Sequence, residues 1–179
     1  RNIWIIDFGV ETSEQDASAY EVPFAYVLKN VKPIRQENKR QSYREKWWIH
    51  AEPRPALREA IHALERYIVT PSVAKYRLFA WLTHPTVPDH KLFVIARYDD
   101  YFFGVLHSRC HELWALATSS RQGVGNDPVY NNTTCFETYP FPWPPGHEPL
   151  DDPQVQAIAA AAQALVAQRD AWLNPPGLA

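Results

Sequence analysis

The segment His107-Ser-Arg-Cys-His111 places two imidazoles and a thiol within about one helical turn. Imidazole nitrogen and thiolate sulfur are ligands that zinc prefers in proteins. The sequence shows no second pair of ligands at metal spacing, and no acidic residue is placed as in an HExxH motif. It therefore predicts no metal site, but a helix with Cys110 buried and His107 or Arg109 exposed.

Two other patterns resemble catalytic motifs. Asp99-Asp100 is a paired carboxylate, but adjacent side chains in a turn point apart more often than they cooperate. Asn174-Pro-Pro-Gly177 resembles the Asn-Pro-Pro-aromatic motif with which amino-methyltransferases hold a flipped base, yet it lacks the aromatic residue. Neither a glycine-rich phosphate loop nor a GxSxG motif is found. We therefore expect no catalytic residue in this chain, which favours a binding module over a complete enzyme.

Polar loops suggest a different chemistry, the recognition of double-stranded DNA. Arg pairs with guanine, and Asn or Gln with adenine, at base edges in the major groove. Candidates for base contacts lie in the pairs Arg121-Gln122, Asn126-Asp127 and Asn131-Asn132. Candidates for phosphate contacts, near predicted helix starts and turns, are Arg66, Lys75, Arg77 and Arg109. Composition alone explains these segments equally well as ordinary surface loops.

The charge of the chain is unevenly distributed. The formal net charge is -2, but residues 29–77 contain twelve Lys or Arg against five Glu, a net of +7. The remaining residues carry a net of -9. A basic stretch in a nearly neutral chain is typical of a surface that binds a polyanion. A solvated helix face is the alternative explanation.

Length and composition limit the class of protein. A chain of 179 residues that is 46% hydrophobic can bury one substantial core and a small second one. We find neither an apolar run of membrane-spanning length nor a signal peptide, so we expect an intracellular protein with no membrane partner. Cys110 and Cys135 are too few for a disulfide scaffold and are expected to be free thiols. Because the chain begins at Arg1 and contains no methionine, we expect it to be part of a longer protein.

Helical patterns dominate the first third of the sequence. Residues 3–9 (IWIIDFG) form an apolar run that predicts a buried strand. Ser13 is a suitable N-cap for a helix reaching Asn30, which Pro23 is expected to bend or interrupt. A polar helix is expected from Pro33 to about Lys46, and an amphipathic one over 56–66.

The rest of the chain mixes strand and helix patterns. Strands are predicted at 67–70, 75–82 and 91–98, followed by an aromatic run at 101–105 and a helix over 106–117. A long polar loop at 118–134 and an alanine-rich helix ending near Leu173 complete the pattern. We predict an α+β fold with a helical N-terminal arm, a central mixed or antiparallel sheet with packed helices, and a C-terminal helix. The predicted domains are residues 1–50, 51–146 and 147–179.

Residues 135–146, which we call the aromatic clasp, alternate aromatic side chains with prolines. One interpretation is a polyproline II ligand, which would make the chain a protein-interaction module for an SH3- or WW-like partner. The other is that Phe136, Tyr139, Phe141 and Trp143 pack across the sheet and hold the preceding polar loop in place. Burial of Phe141 and Trp143 would exclude the ligand interpretation.

Five blocks of sequence, in order along nearly the whole chain, resemble the C-terminal part of MmeI-like DNA methyltransferases of type IIL or IIG. The blocks are IIDFG; SEQDASAYEVPFAYV with NKRQSYREKWW; RPALREAI with YIVTPSVAKYR; FFGVLHSR with HELWAL; and GVGNDPVYNNTTCFETYPFPWPPG. These enzymes fuse adenine modification to restriction, and a target recognition domain follows their methyltransferase domain.

The resemblance implies a bacterial restriction-modification enzyme that transfers a methyl group from S-adenosylmethionine to adenine N6 in a short DNA site. This chain would be the target recognition domain, non-catalytic by itself and without a cofactor of its own. S-adenosylmethionine would bind in the methyltransferase domain of the same parent chain, outside these residues. The expected partners are therefore double-stranded DNA and that domain, and the expected location is the bacterial cytoplasm, associated with the nucleoid.

The resemblance also implies roles for individual residues. By position, bases would be chosen within 119–127 and, with a less certain match, within 88–91. The block YIVTPSVAKYR would contact the DNA backbone through Lys75 and Arg77. The sequence departs from many relatives by Asn131-Asn132 after Tyr130 and by Cys110. The full set of base-reading candidates is Ser119, Arg121, Gln122, Asn126, Asp127, Asn131, Asp89 and His90.

Overall fold

The computed structural model of the chain describes residues 4–175. It contains α-helices and short antiparallel strands, so the predicted α+β fold is confirmed. The chain divides into two compact units, an N-terminal unit up to Glu59 and a C-terminal unit from Ala60. The division into three domains, at 1–50, 51–146 and 147–179, stays a prediction.

Within residues 4–59, five helices begin. They are α1 (Glu14–Ser18), α2 (Glu21–Asn30), α3 (Lys32–Gln36), α4 (Gln41–Glu45) and α5 (Pro55–His62). Ser13 caps α1 as predicted, because its hydroxyl oxygen accepts a hydrogen bond from the Asp16 amide at 3.0 Å. The predicted helix over 13–30 is nevertheless two helices. Pro23 lies in the first turn of α2, where an amide hydrogen is not needed, so the break occurs at 19–20 instead.

Two other predictions for this unit are wrong. The helix expected from Pro33 to Lys46 is interrupted between α3 and α4. Residues 4–9 form no strand, and Ile3 lies outside the described residues. A strand needs a neighbour that accepts its backbone hydrogen bonds. Here the Gly9 amide donates locally to the Asp7 carboxylate at 3.0 Å, and Trp4 is 94% exposed.

Aromatic side chains form the core of the N-terminal unit. The ring of Phe24 lies 5.4 Å from that of Trp47, which is 3% exposed, and 6.2 Å from that of Phe8. The indole nitrogen of Trp48 donates to the Thr12 carbonyl at 2.8 Å. The Trp47-Trp48 pair therefore fixes the chain after α4 against the start of the unit.

A three-stranded antiparallel sheet forms the centre of the C-terminal unit. Its strands are β1 (Arg66–Pro71), β2 (Ala80–Thr83) and β3 (Leu92–Ile95), in the order β2-β1-β3. In register, Arg66 is opposite Thr83 and Pro71 is opposite Leu92. The strands predicted over 75–82 and 91–98 are shorter than expected, because pairing extends only as far as the six residues of β1.

Two helices follow the sheet where one helix and an aromatic run were predicted. They are α6 (Asp100–His107) and α7 (Arg109–Thr118). Asp99 caps α6 by accepting a hydrogen bond from the Phe102 amide at 2.8 Å, and Ser108 caps α7 through the His111 amide at 3.2 Å. The aromatic residues of α6 are buried, so their tertiary packing outweighs the strand propensity of their side chains.

The alanine-rich helix α8 (Pro153–Leu173) packs on α6. Gly104 permits this approach, because a Cβ there would lie 2.7 Å from the Ile158 side chain and 3.2 Å from Ala162. Asn174 ends α8 as predicted, whereas Gly177 of the Asn-Pro-Pro-Gly segment lies outside the described residues.

The predicted polar loop over 118–134 contains regular structure. Strands β4 (Ser120–Gln122) and β5 (Asp127–Val129) form an antiparallel hairpin, and a π-helical turn follows at Asn132–Phe136. Cys135, fully buried in that turn, directs its sulfur toward the carbonyls of Ala115 and Val129. These contacts fix the base of the hairpin to the core of the C-terminal unit.

Candidate nucleic-acid interface

Three separate segments meet at one end of the central sheet, which we call the hairpin end. The Ser72 amide donates to the Lys91 carbonyl at 2.7 Å, and the Tyr130 amide donates to the Ser72 carbonyl at 2.7 Å. Val73 also forms a β-bridge with Val129. The connector after β1 therefore joins the loop before β3 to the β4–β5 hairpin, and brings residues from all three segments together.

The β4–β5 hairpin presents several exposed candidates. All three residues of β4 are exposed, including Arg121 and Gln122. The turn over 123–126 closes with a hydrogen bond from the Asn126 amide to the Gly123 carbonyl at 3.0 Å. Gly123 and Asn126 have φ angles of +79° and +51°, conformations that Gly and Asn tolerate best.

The tip of the hairpin carries a residue that the sequence analysis missed. Val124 is fully exposed between two glycines. An isolated apolar side chain between glycines in a polar loop is a signal that could have been noticed. Its methyl groups could contact the methyl group of thymine.

Arg77, a predicted phosphate contact, points into the protein. Its guanidinium donates to Thr70 Oγ1 at 2.9 Å, to the Pro71 carbonyl, and to the Pro128 carbonyl at 3.4 Å. It also lies 4.9 Å from the centre of the Tyr130 ring. Burial lowers the pKa of Arg77, although an arginine stays charged in proteins. These contacts join the end of β1 to β5 and leave the guanidinium poorly placed for a phosphate.

A buried pair of side chains lies beneath the hairpin. His111 is fully buried, and its Nδ1 donates to the Leu106 carbonyl at 2.9 Å. Its Nε2 must then accept the hydrogen bond from the Tyr130 hydroxyl at 3.1 Å. Burial lowers the pKa of His111 to about 4, so the ring is neutral near pH 7. Burial raises the pKa of Tyr130 well above its ordinary value.

Other base-reading candidates at the hairpin end have contacts within the chain. Ser119 ends α7, and its hydroxyl donates to the Leu116 carbonyl at 3.3 Å. Asn131 caps the π-helical turn by accepting hydrogen bonds from the Thr134 amide at 2.9 Å and hydroxyl at 2.8 Å. Asp127 is half-buried. These residues shape the backbone around the hairpin more directly than Arg121 or Gln122 does.

The two other segments contribute exposed polar side chains. Lys75 is exposed, with its ammonium 5.3 Å from the centre of the Tyr76 ring. Asp89 accepts a hydrogen bond from the Lys91 amide at 2.8 Å, and the adjacent His90 is exposed. Lys91 itself, exposed beside the Ser72 contact, is a further cation at this end.

Arg66 and Arg109 do not lie at the hairpin end. Arg66 begins β1, about 17 Å from Pro71 at the strand rise of ~3.4 Å per residue. It pairs with Asp100 at 2.9 Å and stacks 4.0 Å from the centre of the Trp81 ring. Arg109 begins α7, whose other end leads to the hairpin, and it pairs with Glu112. The structure therefore does not place the four phosphate candidates on one surface.

The candidate metal and carboxylate motifs have structural roles. Among residues 4–175, no group of three or more potential metal ligands is found. Cys110 is exposed and His111 buried, so the expectation of a buried Cys110 is wrong: α7 turns His111 toward the core. Asp99 and Asp100 point apart, toward Arg97 at 2.8 Å and Arg66 at 2.9 Å. Both cysteines are free.

The aromatic clasp packs against the buried core of the C-terminal unit, which includes side chains of the sheet and of helices α6 and α7. Phe141 stacks 5.0 Å from Phe102, and Tyr139 lies edge-on 4.8 Å from His111. The ring of Phe136 lies 6.2 Å from that of Phe93 in β3, and packing across the sheet stays a prediction. Phe141 and Trp143 are half-buried, while the prolines between and after them are exposed. The aromatic rings therefore face the protein and the prolines face outward, which does not favour a free polyproline II ligand.

Comparison with known proteins identifies the family of the chain. The family model described as MmeI, target recognition domain, matches residues 3–143, and no curated protein matches the chain. A solved structure, the type IIL restriction-modification enzyme MmeI in complex with DNA, superposes with a TM-score of 0.66 at 15% identity. The match covers 94% of this chain and 21% of that one, so the chain spans about a fifth of MmeI. At this identity the likeness shows a shared fold, and the family match confirms the resemblance found in the sequence: the chain belongs to the MmeI target recognition domain family.

Proposed function

We propose that the chain recognises a specific sequence in double-stranded DNA for a restriction-modification enzyme. The observation that carries the proposal is the hydrogen-bonded junction of Lys91, Ser72 and Tyr130. This junction gathers exposed polar residues from three segments at one end of the C-terminal unit. Membership of a family of target recognition domains supports the same function.

The β4–β5 hairpin has the dimensions of a major-groove reader. Two antiparallel strands about 5 Å apart form a ribbon, and a B-DNA major groove about 12 Å wide admits such a ribbon. Arg121 and Gln122 on β4 have the side-chain types that pair with guanine and adenine. Asn126 and Val124 in the turn would reach the same base pairs or their neighbours.

Contacts with the phosphate backbone are assigned to Lys75 and Lys91. Both are exposed, and both flank the junction that fixes the hairpin. Arg77 is assigned a positioning role instead, since its guanidinium is occupied by Thr70 and the carbonyls of Pro71 and Pro128. Asp89 and His90 lie beside Lys91 and remain candidates for base contacts from the second loop.

The chemistry of the parent protein is part of the proposal. The parent transfers a methyl group from S-adenosylmethionine to adenine N6, in a methyltransferase domain that binds the cofactor outside this chain. The chain holds the duplex in register while that domain flips the adenine out of the stack. We further propose that the parent acts in the cytoplasm. Within residues 4–175, each helix is too short or too polar to cross a membrane.

A pair of substitutions tests the proposed DNA contacts. In the full-length protein, Arg121→Ala should reduce discrimination at one base pair by about 1–3 kcal/mol, because a base contact is lost. Lys75→Gln should weaken binding to cognate and scrambled duplexes equally and lower the salt slope by about one. Anisotropy titrations at several salt concentrations measure both effects. Equal losses of affinity for the cognate and the scrambled duplex in both variants would contradict the assignment of a base contact to Arg121 and a phosphate contact to Lys75.

The methylated bases of the source genome test the proposed reaction. Single-molecule sequencing with and without the parent gene should reveal one short motif that carries N6-methyladenine only when the gene is present. The same motif provides the cognate duplex for the titrations. A methylome that does not change on deletion would contradict the proposed methyl transfer.

A further inference from the structure

The N-terminal unit contains an open pocket with no role in the proposed base recognition. Its volume is about 290 Å³, near the lower end of the range for small-ligand sites, roughly 300–1,000 Å³. The segment before α1, helices α3 and α4, and the chain following α4 supply the walls. Its polar lining consists of Glu11, Arg35, Ser42, Tyr43, Lys46 and His50.

Within residues 4–175, two cations line this pocket without a direct ion pair, whereas two other arginines of the unit are paired. Arg40 pairs with Glu52 at 3.1 Å, and Arg58 pairs with Asp7 at 2.7 Å. By contrast, Arg35 and Lys46 have no carboxylate oxygen within 4.0 Å in the part of the chain that the structure describes. The pocket therefore contains two cations whose charges are not neutralised by a direct ion pair.

Neighbouring contacts hold Arg35 in place. Its guanidinium lies 5.3 Å from the centre of the Tyr43 ring. The Tyr43 hydroxyl donates to Glu52 at 2.7 Å, and the Glu52 carboxylate also accepts from Arg40. The Tyr43 hydrogen bond is the largest factor that lowers the pKa of Glu52, which keeps this carboxylate ionised and engaged with its own partners. Arg35 thus lines the pocket beside a ring whose hydroxyl is itself hydrogen-bonded to Glu52.

We propose that this pocket binds a phosphate group. The lining includes an arginine, a lysine, a histidine and a serine, whose side chains can donate hydrogen bonds to phosphate oxygens. Glu11, the one acid in the lining, occupies only part of the wall and pairs with neither cation. The phosphate belongs either to a nucleic-acid backbone or to a free phosphate compound. The first source rests on the proposed function, whereas the second is independent of it.

Phosphate titration of the ¹⁵N-labelled chain tests the pocket directly. Inorganic phosphate at low ionic strength should produce saturable amide shifts that are largest around Arg35, Ser42 and Lys46. The double substitution Arg35→Gln/Lys46→Gln should abolish these shifts. The matched control is Lys29→Gln/Lys39→Gln, which removes the same charge from exposed sites outside the pocket and should retain the shifts. Unchanged amide spectra elsewhere verify that both variants fold.

DNA titration of the same variants distinguishes the two sources. If the pocket binds a phosphate of the DNA backbone, Arg35→Gln/Lys46→Gln should lower the slope of log Kd against log salt by about two. The control Lys29→Gln/Lys39→Gln should lower this slope less. Phosphate shifts without a change in slope indicate a free phosphate compound, which also supports the proposal. No phosphate shifts and equal slopes for both variants would overturn it. If wild-type chain shows phosphate shifts but binds no DNA, the proposed function fails while the pocket assignment stands.

Discussion

The base and the tip of the β4–β5 hairpin hold their side chains in opposite ways. At the base, Arg77 contacts Thr70, Pro71 and Pro128, and Tyr130 is hydrogen-bonded to the buried His111. At the tip, the residues of β4 and Val124 are exposed. The base is therefore fixed by contacts inside the protein, whereas the tip is free to contact another molecule.

This difference shows that residue type alone does not assign a role. Arg77 and Arg121 are both arginines that suit contacts with DNA by residue type, yet one joins strands and the other projects from a ribbon. A fixed base lowers the entropy cost of ordering the tip when it binds. It also allows residues at the tip to change without loss of the fold, because the tip contributes little buried surface. The predictions below test this division, from the largest expected effect on stability to the smallest.

Acid should destabilise the base through His111. Burial lowers its pKa to about 4, against about 6.5 when unfolded, so the unfolded state binds the extra proton more readily between these values. Stability should be fully present above about pH 6.5 and fall by about 3 kcal/mol as the pH drops through 4. His107, whose pKa burial also lowers, adds to the same trend.

Urea unfolding of the chain between pH 7 and 4 measures this effect. His111→Gln should reduce stability at pH 7 and flatten the dependence on pH, because the titrating ring is gone. His90→Gln is the matched control in an exposed loop and should preserve the steep dependence. Equal pH dependence in His111→Gln and the unsubstituted chain would show that another group controls acid unfolding.

Replacing Arg77 should also destabilise the base. Arg77→Ala removes the hydrogen bonds to Thr70, Pro71 and Pro128 and should cost about 2 kcal/mol in the free energy of unfolding. Lys75→Ala, two residues away but exposed, should change it by less than about 0.5 kcal/mol. Chemical denaturation at neutral pH compares them. Similar stability losses in both variants would remove the distinction between a positioning arginine and a surface lysine.

The sequence predicted the architecture better than the local structure that carries the site. The α+β class and the caps at Ser13 and Asn174 follow from local residue patterns. The hairpin was missed because three-residue strands are too short for an alternating pattern and β4 is exposed on both faces. The aromatic residues of α6 favour strands by propensity, and Asp99, which caps the helix, was considered only as a carboxylate.

The site was predictable in part for a related reason. Arg121, Gln122 and Asn126 were identified because an exposed polar loop is visible in sequence. The inward direction of Arg77 depends on Pro128, 51 residues further along the chain, and no local pattern reports such a contact. The separation of Arg66 from the hairpin end likewise follows from the register of β1. Residue type indicated which side chains suit DNA, but tertiary structure decides which of them can reach it.

The smallest effect on stability is expected at Asn126 in the turn. Its φ angle of +51° suits glycine, so Asn126→Gly should change the free energy of unfolding by less than about 0.5 kcal/mol. Asn126→Ala should cost about 1 kcal/mol, because alanine resists the left-handed conformation. If the side-chain amide of Asn126 contacts a base, both variants should lose discrimination at one base pair by a similar amount, despite their different stabilities. If only Asn126→Ala loses discrimination, the residue serves the shape of the turn rather than contact with DNA, and the reading surface begins at Arg121 and Gln122.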